Sequence, residues 1–372
     1  MNRLVIIGNG FDMAHGLKTS YMDFINWYWD KRIDAFAGNT TKVSEDCLCK
    51  LTIKDGTNVS CWNVLTFENS YFKDFRGNRT CSGYEVIKEL KNHPEVFSID
   101  YSPFFERIIY SFDTKRWVDI ENDYYYLLKK WIGEIPPIYY TIEELNEQLD
   151  FLRDKLAEYL GTIRCAESIP TIGGAIRDYL YTEDLSTKGK KDLSSLKKNS
   201  PDGLLPPKHL SIERTMLLCF NYTETAKMYV DDNITLNYIH GELEHPEHII
   251  FGYGDELDKD YQGILEKNDN ELLKNVKSVK YLETRNYHKM LDFLMAAPFQ
   301  VLIMGHSCGN SDRTLLNTVF EHENCVSIKP FYHKWDDGSD NYLELVQNIS
   351  RNFTNMRLFR DRVVNKEQCE TM

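Results

Sequence analysis

The chain has 372 residues, with 44 Lys and Arg against 57 Asp and Glu and a formal net charge of −13. That field disfavours nucleic acid and anionic membrane as partners, since both select basic surfaces. Hydrophobic residues at 42%, aromatics at 13%, and only 20 Gly and 11 Pro point to a folded globular protein, not a disordered or fibrous one. The opening MNRLVIIGNGFD lacks the apolar segment and cleavage site of a signal peptide. Runs such as MLLCF and VLIM are far shorter than the ~20 residues of a membrane span. The odd count of 9 Cys does not suggest a complete disulfide framework, so a reducing, cytoplasmic setting is expected.

In chain order, LVII at 4–7 reads as a buried strand that breaks at Gly8-Asn9-Gly10 and leads to a helix over about 20–29. Residues 31–100 hold four cysteines, many aromatics and a hairpin-like LTIKDGTNVSCW with Asp55-Gly56 at its turn; they read as an irregular insertion. Residues 101–185 read as a helical region, with Trp117, Ile120, Tyr124, Leu127, Leu128 and Trp131 at helical spacing. Residues 186–207 read as a flexible basic loop by composition, carrying Lys188, Lys190, Lys191, Lys197 and Lys198. Beyond it, strands are expected at 216–220, 234–239, 248–251, 300–304 and 326–328, with helices starting at 223–229 and spanning 311–320 and 342–349. Short apolar strands alternating with helices predict an α/β, mostly parallel sheet covered on both faces. Residues 1–30 and 208–372 would form this Rossmann-like core.

Chemistry-bearing residues cluster where those strands end. Glycines in Gly8-Asn9-Gly10-Phe11-Asp12 let backbone amides approach phosphate oxygens, although tight strand-to-helix turns need glycine regardless. Asn221, after the second strand, could hold a water or a ribose hydroxyl, or cap a helix. His240-Gly241 places a base with a near-neutral pKa at another strand end, where a packed structural histidine is the plain alternative. Gly305-His306-Ser307-Cys308-Gly309 offers a second close approach, and its Gly-x-Ser-x-Gly spelling also suits a nucleophile elbow. Asp312 reads as a helix cap. Asp119 and Glu121 read as acids on a wet helix face or as a second acid site. His240, His245 and His248, and the spacing of Cys47, Cys49, Cys61 and Cys81, do not make a metal site.

Taken together, LVIIGNGFDMAHGLKTSYMDF, Trp117-Val118-Asp119-Ile120-Glu121, CFNYTET, NYIHGE, HIIFGYGDE and MGHSCGNSDRTLL resemble the AbiH family of bacteriophage abortive infection proteins, in order along the chain. The same motifs are distantly similar to the sirtuin-type NAD-binding fold. That resemblance implies NAD as ligand or substrate, with phosphates on Gly8, Asn9, Gly10 and Phe11 and on Gly305, His306 and Ser307, beside Gly241. On that likeness His240 would act as base and Asn221 would position ribose and water, while Asp12 would hold the ribose or orient a neighbour. The likeness implies hydrolysis of NAD to nicotinamide and ADP-ribose, with a phage component as trigger and further copies of the chain as partners. A nucleotide-sensing module without chemistry, acting through a partner or oligomerisation, and a nuclease or RNA-binding effector using the Lys188–Lys198 segment are the alternatives.

Overall fold

In the computed structural model the strands are, in chain order, β1 (Asn2–Ile7), β2 (Val43–Glu45), β3 (Cys49–Ile53), β4 (Phe97–Tyr101), β5 (Leu180–Tyr181), β6 (His209–Leu210), β7 (Arg214–Cys219), β8 (Ile234–Tyr238), β9 (Phe299–Met304) and β10 (Cys325–Phe331). The structure describes residues 1–37, 41–55, 80–115, 118–133, 140–164, 172–198 and 209–372. Met1–Lys18 and Leu160–Met372 make one unit and Thr19–Tyr159 a second.

The first unit is built on a five-stranded sheet in the order β10-β9-β1-β7-β8, every pairing parallel. Leu4 stands opposite Met216 on one side and Val301 on the other. All six residues of β1 and of β9 are buried, as expected of parallel strands covered on both faces, which read as continuous apolar runs. Side chains alternate between the faces. Leu4, Ile6, Leu218, Val301 and Ile303 pack with Leu315, Leu316, Val319 and Phe320 of helix Arg313–Phe320, Leu345 and Ile349 of helix Tyr342–Arg351, and Met290 and Leu294 of helix Asn286–Ala296. Val5, Ile7, Leu217, Leu302 and Met304 pack on the opposite face with Phe11, Ile176, Ala226 and Tyr229. The sheet is therefore α/β and two-sided, as its sequence pattern predicts. Strand order reverses about β1, with β7 and β8 added on one side and β9 and β10 on the other. In open α/β sheets ligands bind outside the carboxyl ends at such a switch point.

Two expectations need correction. The run at 248–251 is not a strand. Pro246–His248 is a 3₁₀ turn, and Ile249, Ile250 and Phe251 are buried as unpaired chain, held by Ile250 N–H donating to His240 O at 2.8 Å. Their apolar character reflects burial across the end of β8, which a strand and a packed loop share. The 186–207 segment is not all loop either, because Thr187–Lys198 is a helix. Gly189 N–H donates to Ser186 Oγ at 3.2 Å at its start, Lys188 pairs with Asp192 one turn on, and Leu193 packs on Leu180, Leu185 and Val326. Residues 199–208 lie outside the described residues.

In the second unit, helices Tyr21–Ala37, Gly83–Lys91, Pro103–Lys115, Ile120–Gly133 and Ile142–Leu160 accompany a β2-β3-β4 antiparallel sheet. The helix expected over 20–29 thus runs on to Ala37. The 31–100 stretch is not irregular throughout, because it supplies all three strands. The proposed hairpin turn lies largely outside the described residues, as do Trp117 and Cys61. Ile120, Tyr124, Leu127 and Leu128 form a buried face at helical spacing.

Candidate active site at the strand ends

The site begins where β1 ends. Gly8 N–H donates to Met304 O at 3.1 Å and Gly10 N–H to Gly305 O at 2.8 Å, so the turn after β1 is laced to the turn after β9. A Cβ on Gly8 would lie 2.5 Å from His306 Cα, and one on Gly305, at φ +72°, would lie 2.0 Å from Phe11 N. The glycines are demanded by this backbone-on-backbone contact, and two amides expected to face a phosphate are already bonded. Asn221 follows β7 and its Nδ2 donates to Gly8 O at 2.9 Å, fastening a third strand end to the same turn.

Asp12 is buried beside this lacing. Thr223 Oγ1 donates to its Oδ2 at 2.6 Å, while Oδ1 has no hydrogen-bond partner among the described residues. Burial pushes the Asp12 carboxyl up, and Thr223, Thr225 and Asn221 pull partly against that rise. A buried carboxylate oxygen without a donor costs free energy, and a bound hydroxyl would relieve it.

The second cluster lies at the ends of β8 and β9. His240 follows β8, and Gly241 after it turns the chain at φ +87°, where a Cβ would meet His248 O at 2.4 Å. The imidazole is buried, edge-on to Phe220 with ring centroids 5.0 Å apart. Its Nε2 lies 3.2 Å from Tyr281 Oη and 3.3 Å from Asp312 Oδ1. Lys277 Nζ donates to the same Asp312 Oδ1 at 2.7 Å, and His306 Nε2 faces Oδ2 at 3.5 Å. Cys308 N–H donates to His306 Nδ1 at 3.0 Å, which puts the neutral ring's proton on Nε2, toward Asp312. Cys308 takes a left-handed backbone at φ +53° to make that bond.

Electrostatics divide the cluster into the Lys277–Asp312 ion pair and a neutral His240 ring. Burial alone would raise the Asp312 carboxyl, but the Lys277 ammonium and then His240 and His306 hold it well below the usual carboxylate range. His240 is lowered to about 4, by burial first and then by Lys277, against the opposing pull of Asp312. The ring is therefore neutral near pH 7. An ionised Asp312 favours a proton on Nε2 and leaves Nδ1 as the basic nitrogen.

Several candidates fall elsewhere. Asp312 makes no side-chain cap; it pairs with Lys277, and neither Lys277 nor Tyr281 carries a sequence signal for this site. Ser307 is exposed and its carbonyl accepts from Asn348 Nδ2 at 3.0 Å. The downstream histidines a serine hydrolase would need are engaged elsewhere, His322 Nδ1 with Asn324 N–H and His333 against Trp335. His245 and His248 are exposed and paired with Glu247. Asp119 sits before helix Ile120–Gly133 in the second unit, accepting from Asn122 N–H at 3.0 Å.

A family model described as bacteriophage abortive infection AbiH matches residues 4–333. The chain belongs to the AbiH family. The match runs from β1 past β10, so every strand end that builds this AbiH site lies within it. No curated protein and no solved structure matches the chain. Among the described residues of this AbiH protein, no helix is long and apolar enough to cross a membrane.

Proposed function

We propose that this AbiH protein is an anti-phage abortive infection protein whose strand-end crevice takes NAD and hydrolyses it to nicotinamide and ADP-ribose. The observation that carries the reading is the gathering of His240, His306 and Asp312 beside the Gly8 and Gly305 turns, where the strand order reverses. Counted within the sheet the order is 3-2-1-4-5, that of Rossmann-type sheets that bind dinucleotides at this crevice. The motif order supports the distant sirtuin-type likeness in the same way.

The residues suit a dinucleotide unevenly. Asp12 Oδ1 is a buried acceptor in need of a donor, which a ribose hydroxyl supplies. Ser307 offers an exposed hydroxyl for a phosphate oxygen, beside the Gly305 turn. In NAD the nicotinamide is joined to ribose through a positively charged ring nitrogen. When that bond breaks, its electron pair neutralises the ring, so the leaving group needs no acid. A water oxygen bonds to the ribose carbon, and the water's proton passes to His240 Nδ1. One base suffices, and a neutral imidazole can act as one, worth roughly 10²–10⁴-fold. Asn221, fixed through Nδ2 to Gly8 O, keeps Oδ1 to orient the water.

A second reading, sensing of the nucleotide without turnover, is favoured by the Gly8 and Gly10 amides that are already bonded and by the burial of His240. The test is NAD consumption by wild type, His240→Ala and Asn221→Ala, with folding matched by circular dichroism, in purified protein and in phage-infected cells. Loss of NAD with wild type alone supports hydrolysis. Stabilisation by NAD without consumption in either setting supports sensing. Consumption that persists in both variants refutes the assignment.

A further inference from the structure

A cavity of about 250 Å³ opens at the carboxyl ends of β7 and β8, lined wholly by the first unit. Its apolar wall is Leu17, Leu160, Ile163 and Leu243, with Tyr222 beside them. Its charged side is one ammonium among three carboxylates. Lys227 Nζ lies 3.0 Å from Glu224, 3.3 Å from Glu242 and 2.9 Å from Glu244. Three acids against one base leave the lining two charges negative, a field that selects a cation. Thr223 also lines the cavity, and its hydroxyl donates to the buried Asp12 Oδ2 at 2.6 Å.

We propose that this cavity is a subsite for a planar organic cation of pyridinium size, held by apolar contact with Leu17, Ile163 and Leu243 and by the field of the lining carboxylates Glu242 and Glu244. At about 250 Å³ it is smaller than the ~300–1,000 Å³ of sites for drug-sized ligands, so it holds one ring and not a dinucleotide. Resting on the NAD reading above, the occupant is the positively charged nicotinamide ring of NAD, with the rest of the molecule outside the cavity. The carboxylates also favour the positive charge that moves onto ribose as the ring departs, so the subsite does not oppose bond cleavage.

Three probes of one shape and different charge test this: 1-methylnicotinamide (cation), nicotinamide (neutral) and nicotinate (anion). Binding to the wild-type chain is measured by calorimetry at low salt. The cation is expected to bind at least ~10-fold more tightly than the neutral ring, with nicotinate weakest. Glu242→Gln should weaken the cation several-fold, and Lys227→Met, which makes the lining more negative, should tighten it. Equal affinity for the three probes overturns the proposal, and the wild-type comparison needs no variant to fold. Tighter binding of the cation in a chain that never consumes NAD keeps the subsite and removes the hydrolase reading. NAD turnover without any charge preference does the reverse.

Discussion

Replacing His240 by Gln removes one titration from the core, and the burial of the ring sets its size. His240 is lowered to about 4, first by burial and then by the Lys277 ammonium, with Asp312 pulling the other way. A base with a depressed folded value takes its proton more readily in the unfolded chain. The stability tied to its neutral form is complete above the ordinary histidine value of about 6.5 and is lost as pH falls toward 4. Between about pH 7.5 and about pH 5 the linkage relation gives a loss of roughly 2 kcal/mol, near 30-fold in the unfolding constant. Gln is neutral throughout and keeps a polar head near Tyr281 and Asp312. Urea unfolding of wild type and His240→Gln at both pH values isolates this contribution, because the titrations of Asp12 and of the surface groups occur in both proteins and cancel. Wild type should lose about 2 kcal/mol more than the variant on acidification. Equal losses, or a larger loss in the variant, would refute the buried neutral imidazole.

Other consequences are equally direct. Asp312→Asn leaves Lys277 buried without its counter-charge and should cost roughly 3–5 kcal/mol, while the double variant Asp312→Asn with Lys277→Met should recover most of it; a double-mutant cycle by denaturant unfolding reads the difference. Gly305→Ala puts a Cβ 2.0 Å from Phe11 N at a positive φ and should cost at least about 3 kcal/mol or prevent folding, whereas Gly338→Ala, with open space around it, should cost only the φ strain, about 1–2 kcal/mol. If His240 is the base, kcat/KM for NAD should hold level from about pH 8 down to about pH 5 and fall only toward pH 4; an acid limb near 6.5 would show an imidazole that is not buried as described.

The parallel sheet could be read from the sequence because its strands are buried on both faces. Runs such as LVII, MLLCF and QVLIM therefore carry no polar alternation and stand out from the surrounding chain. The same logic misled at residues 248–251, where Ile249, Ile250 and Phe251 are just as apolar because a loop buries them. Thr187–Lys198 hid in the opposite way: its lysines and Gly189 resemble a loop, and what makes it helical is the docking of Gly189 and Leu193 against Val326. In the site, the glycine turns, Asn221 and His240 announced themselves by ending strands. Lys277 and Tyr281 gave no signal, since they follow no strand and meet Asp312 and His240 across separations of 35 and 41 residues. Asp312 carried a signal that pointed the wrong way, because an acid at a helix start reads as a cap.

The most direct test of the central claim is nicotinamide release from NAD, quantified by chromatography for wild type and His240→Gln, in purified form and in extracts of phage-infected cells. The strand-end site predicts stoichiometric nicotinamide and ADP-ribose from wild type, and a rate lower by roughly 10²–10⁴-fold with His240→Gln. Nicotinamide released at the same rate by both proteins, or by neither in both settings, would contradict it.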